Sequence, residues 1–185
     1  MHWARRSACF LAIPAVMFAL PAAAAGDDDF KVLVFTKATA EQHASTPAGV
    51  RALEDIGDDD DFDVRATADA GAFTEENLKR YRAVVFLNTS GDVLSDTQQA
   101  AFEEYFQDGG GFLGIHSAIE AEPDWTFMTE LLGTRAEGRT DPVSATTKVA
   151  DRVHIASKGL PEYWTRTDRW YNFTSNVRGF SHVLA

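Results

Sequence analysis

The chain has 185 residues, 45% of them apolar, and its 17 basic and 28 acidic side chains give a formal net charge of −11. That length and composition suit one globular domain, which buries roughly 70% of the surface its unfolded chain exposes. A net negative charge with no basic stripe excludes phosphate-backbone binding, so no nucleic-acid partner is expected and a neutral or cationic one fits better.

Residues 1–25 read as a secretory signal. Arg5 and Arg6 form a basic start, residues 8–20 a short apolar run and Ala22 to Ala25 a small-residue cleavage site. The run is too short to anchor in a bilayer, and the Arg5-Arg6 pair leaves a twin-arginine route as a weaker option. The expected location is the periplasm or the medium, with no membrane attachment after cleavage. Removing those two arginines takes the charge from −11 to −13 and removes Cys9, the single cysteine. A disulfide framework, a Cys-ligated zinc site and a thiol nucleophile are thereby excluded from the mature chain.

From Phe30 on, apolar runs alternate with helical stretches, the pattern of a parallel sheet covered by helices. Residues 31–35 (KVLVF) form a doubly buried strand, followed by a polar loop with His43. Pro47 opens a helix whose expected buried face is Val50, Leu53 and Ile56, with Gly57 and the acidic run 58–61 ending it. A second strand follows at 62–66, a short helix capped by Thr74 at 74–80, and a third strand at 83–87 (AVVFL). The loop 88–92 (NTSGD) leads to a helix with Ser95 and Gln98 as capping box and Phe102, Tyr105 and Phe106 as apolar face. Glycines 109–111 stop it, and residues 112–115 form a fourth strand ending at His116. Residues 125–132 read as a helix, 143–149 as a polar strand near the sheet edge, and 168–173 (DRWYNF) as irregular.

Two motifs have plain readings. The run Asp58 to Asp61 lacks the spaced ligands of a calcium loop and is expected to be a solvated turn. Gly109, Gly111 and Gly114 spell a dinucleotide fingerprint, but before and inside a strand, where it does not function.

Ligands of open α/β sheets bind outside the carboxyl ends of the strands, so His116, the 88–92 loop and the His43 loop should converge on one crevice. Imidazoles titrate near neutrality, which makes His116, His43 and His154 the acid–base candidates. Asn88 and Asp92 offer groups for sugar hydroxyls, Ser117 is a weak nucleophile candidate, and Trp125, Trp164, Trp170 and Tyr171 offer flat faces for a sugar ring. Three imidazoles with a carboxylate also leave a divalent metal open as a cofactor, although no H-x-H or H-E-x-x-H spacing supports one.

The stretch Gly114-Ile115-His116-Ser117-Ala118 resembles the nucleophile elbow of class I glutamine amidotransferase-like domains, with His116 where those enzymes carry cysteine. Glutaminase chemistry therefore lacks its nucleophile. The His variant resembles the ThuA-like family, named for trehalose utilisation, over nearly the whole mature chain, residues 26–185. KVLVFTKAT from Lys31, HASTPAG from His43, VVFLNTSGDVLSDTQQAAFEEY from Val84, GGGFLGIHSA from Gly109 and TRTDRWYNF from Thr165 carry it. The resemblance implies a three-layer, flavodoxin-like or amidotransferase-like parallel sheet with helices on both faces. It also implies a role in carbohydrate utilisation, on trehalose-type disaccharides or their keto derivatives. The alternative is a non-catalytic carbohydrate-binding module on the same scaffold. The chain departs from the family pattern at Ala40-Glu41-Gln42, where a basic residue is usual, at Ile155, where proline is frequent, and at Arg169, where an acid is common. Such domains usually continue past a final strand, here expected at 181–185, so a domain incomplete at its C-terminus is expected.

Overall fold

Four short strands form a parallel sheet in the computed structural model, which describes residues 30–185, and the two central ones, KVLVF and AVVFL, are the apolar, buried pair. The expected leader, with Arg5, Arg6 and Cys9, lies outside the described residues. Strands β1 (Lys31–Phe35), β2 (Asp63–Thr67), β3 (Ala83–Leu87) and β4 (Gly111–Ile115) lie in the order β2-β1-β3-β4, all parallel. Alternation along β1 and β3 splits the core in two. Val32, Val34, Val85 and Leu87 face one way, toward Val50 and Leu53 of α1 (Thr46–Asp59). Leu33, Phe35, Val84 and Phe86 face the other, into an aromatic cluster with Phe73 and Phe102 that is backed by Leu78 and Met128. Those last three come from α2 (Glu75–Leu78), α3 (Asp96–Gln107) and α4 (Thr126–Leu132). Helices thus cover both faces, as a parallel sheet requires.

The helix ends follow local chemistry. Thr74 caps α2 by accepting from the Asn77 amide at 3.3 Å, and Ser95 with Gln98 forms the capping box of α3. Helix α1 differs from expectation at its far end. It runs through Gly57, which is buried because a Cβ there would meet the Phe62 carbonyl at 2.5 Å, and Ile56 is turned outward at 46% exposure. Gly57 is a contact between helix and following strand, and the stop lies in the exposed acidic turn beyond it.

The C-terminal third departs further. The polar strand expected near the sheet edge is β6 (Val143–Lys148), which pairs antiparallel with β7 (Tyr163–Asp168) and does not join the main sheet. The stretch expected to be irregular contains β8 (Tyr171–Phe173), paired with β5 (Ala136–Arg139) across a bulge. Residues 181–185 form no strand, although the Leu184 carbonyl accepts from Ala150 and Asp151. Among the described residues no helix is long and apolar enough to cross a membrane.

Candidate functional site

The strand order reverses between β1 and β3, and the loops leaving their carboxyl ends diverge there to leave a crevice. The β1 loop is pinned over the β3 loop: the Thr39 amide donates to Ser90 O at 2.9 Å, and Ser90 Oγ donates to Glu41 O while accepting from Glu41 N. Gly91 makes this approach possible, because a Cβ there would meet Thr39 Oγ1 at 2.3 Å. Strands β3 and β4 each end on a non-glycine residue in the left-handed region, Asn88 at φ +54° and His116 at φ +58°. The two ends lie side by side, since the Asn88 amide donates to Ile115 O at 3.2 Å. A bulky His in that conformation is uncommon, and it swings the imidazole out of the strand direction at the sheet edge.

His116 meets His43 edge to face, with ring centroids 4.6 Å apart and planes at 87°. The Tyr171 ring also approaches His116, with centroids 5.7 Å apart and planes at 67°. Although His116 as a residue is exposed, its packed ring titrates below the ordinary imidazole value. Burial is the main cause, and His43 and Arg139 add to it against the opposing pull of Asp168 and Glu120. His43 Nε2 is buried and has no hydrogen-bond partner among the described residues. Tyr171 donates its hydroxyl to Glu120 Oε2 at 3.2 Å, and burial, with Glu120 beside it, pushes its pKa up to about 12. The phenol therefore stays protonated across the physiological range.

Arg139, at the end of β5, ties this group together. It bonds to Glu41 Oε2, lies 3.6 Å from Glu120 Oε2, and sets its guanidinium over the Tyr171 ring at 5.3 Å from the centroid. The Arg139 hydrogen bond is the chief reason the Glu41 carboxyl lies below its usual range, and Arg169 contributes at longer reach. Glu41, the departure from the family pattern, thus has cationic partners supplied from the C-terminal ribbons.

Of the expected site residues, His43, His116 and Tyr171 come together. Asn88 is buried beside them, but its side-chain amide donates to Ser45 Oγ and Thr46 Oγ1, bracing the start of α1. His154 is elsewhere engaged: its ring packs on His182 at 5.5 Å, its Nδ1 accepts from the Ala156 amide, and it makes no contact with His43 or His116 among the described residues. Asp92 borders two other clefts, one shared with Glu122 and Trp125, the other with Lys37 and Asp69. Ser117 is fully buried with its Oγ unpartnered, which removes it from reach as a nucleophile. Trp170 donates Nε1 to Val143 O at 2.9 Å and carries Arg166 over its face, and Trp125 packs on Phe102 and Phe127. Neither leaves a free platform for a sugar. Among the described residues no three of His, Cys, Asp or Glu are arranged to hold a metal ion.

Sequence reasoning passed over Glu120 and Arg139 and read Glu41 only as a departure. Glu120 lies four residues beyond His116, a signal available in the sequence. Arg139 arrives only through β5–β8 pairing.

Comparison with known proteins agrees with this architecture. The family described as ThuA, trehalose utilisation, matches residues 31–185. A ThuA-like protein from Bacteroides uniformis ATCC 8492, known from its crystal structure, is similar with a TM-score of 0.71 and 26% identity. That likeness covers 86% of this chain and 67% of the other. No curated protein matches the sequence. With the sheet order, the histidine at the β4 elbow and a family match spanning every described element, this chain belongs to the ThuA family.

Proposed function

We propose that this protein is an exported enzyme of carbohydrate utilisation that carries out acid–base chemistry on a trehalose-type disaccharide or keto-sugar, in the periplasm or outside the cell. The observation that carries this reading is the His43–His116 pair at the carboxyl end of the parallel sheet. His116, held below its ordinary pKa, is neutral at pH 7 and is the base that takes a proton from a carbon or hydroxyl of the sugar. The unpartnered Nε2 of His43 is placed to bond a substrate oxygen or to pass the proton on. Tyr171, its own proton committed to Glu120, offers oxygen lone pairs to a sugar hydroxyl. The packing of Trp125 and Trp170 works against the binding-module alternative in so far as it relies on those two rings.

The test is a turnover screen over disaccharides and their 3-keto derivatives with His116→Asn. Asparagine tolerates the left-handed backbone that alanine would strain by about 1 kcal/mol. Turnover should fall at least about 100-fold, the scale of general-base loss, while the thermal transition stays cooperative. Undiminished turnover in His116→Asn would exclude His116 as the base.

A further inference from the structure

Next to the imidazole pair lies a cleft of about 680 Å³, large enough for a sugar. Its polar lining comes from Lys37, Gln42, His43, Thr46, Arg51 and Asn88, and none of the described residues that line it is acidic. In a chain of net charge −11 that is a local reversal of sign.

Neither cation is held in an ion pair among the described residues. Arg51 projects from α1 with no side-chain hydrogen bond or ion pair among the described residues. Lys37 Nζ donates only to the neutral Val93 carbonyl at 2.9 Å. Of the neighbouring carboxylates, Glu41 holds Arg139, while Asp69, which accepts from the Gly71 amide at 2.8 Å, and Asp92 line an adjacent cleft with Lys37 and form no ion pair with it. His43 Nε2, buried and unpartnered, borders the same cleft. A buried ring nitrogen without a partner costs about 1–3 kcal/mol, which a ligand atom would recover.

We infer that this cleft binds the anionic group, carboxylate or phosphate, of a sugar derivative, with Lys37 and Arg51 as its counter-charges, while the sugar ring reaches the imidazole pair past His43. The inference rests on the acid–base reading of that pair and narrows its substrate to an acidic sugar. It runs against the neutral or cationic partner expected from net charge, because recognition depends on the potential inside the cleft and not on the molecular sum.

Calorimetric titration with glucuronate, glucose 6-phosphate and glucose tests it without requiring turnover. At least one acidic sugar should bind about tenfold or more tighter than glucose, and which of them does distinguishes carboxylate from phosphate recognition. Arg51→Gln, on an exposed helix position, should remove most of that preference, and Arg51→Lys should retain it. Equal binding of all three, no binding, or a preference untouched by Arg51→Gln overturns the inference. His116→Asn should leave the binding preference intact, so failure of the acid–base reading and failure of the anion site register in separate measurements.

Discussion

The two left-handed residues at the ends of β3 and β4 show how much one backbone angle decides. Asn88 and His116 sit at φ near +55°, and that conformation turns the His116 ring toward His43. The ring environment has a consequence for stability. A histidine whose folded pKa lies below its unfolded value of 6.5 binds fewer protons in the native state, so stability rises with pH across that interval. The contribution is fully present above about pH 6.5 and is lost as pH falls through the window between the unfolded and folded values. Thermal melting followed from pH 7.5 to 5.5 should show the midpoint dropping below about pH 6.5, with a shallower drop in His116→Asn. Identical slopes would mean the imidazole is not desolvated in the native protein.

At the scale of elements, Gly57 sets two effects against each other. Inside a helix, glycine to alanine ordinarily gains about 1 kcal/mol. Here the added Cβ would lie 2.5 Å from the Phe62 carbonyl, a backbone atom that moves only with the turn between α1 and β2. Overpacking of this kind costs about 1–3 kcal/mol, so after that gain Gly57→Ala should lower stability by up to about 2 kcal/mol in denaturant unfolding. A stabilised variant would show that the turn yields freely. The joint between α3 and the segment before α4 is built around another buried group, Glu122. Its carboxylate accepts from the Val93 and Leu94 amides at 2.8 Å and from Gln99, while Arg135 binds the carbonyls of Ala121, Glu122 and Trp125. These bonds fix the chain that follows His116 and hence the direction in which Glu120 reaches Tyr171.

Across the whole molecule, two kinds of architecture meet at the crevice. The parallel sheet is anchored by a core of buried aliphatic and phenylalanine side chains, whereas β6 and β7 alternate mostly exposed residues and bury little. Few buried apolar contacts mean a lower opening free energy, so hydrogen exchange should find the β6–β7 amides exchanging through smaller, local openings than those of β1 and β3. Equal protection in both would make the molecule one cooperative unit. The β5–β8 pair lies between these extremes, tied to the sheet through Arg139 and Tyr171, and any loosening of it would disperse the site.

The amino-acid sequence by itself determined the four parallel strands, the capped helices and the crevice at their carboxyl ends. Those features rest on local chemistry: continuous apolar runs, Thr74 and Ser95 as caps, and the position of His43 and His116 just past strand ends. It also carried the family resemblance, through motifs in those same segments. Only the tertiary structure decided which polar side chains share the crevice. Arg139 and Tyr171 arrive by pairing of β5 with β8, and that register depends on packing between segments about 35 residues apart with no periodicity to announce it. For the same reason His154, Trp170 and Asp92 could not be separated from the true neighbours of His116 in advance. Residue type made them equal candidates, and partners distant in sequence drew them elsewhere.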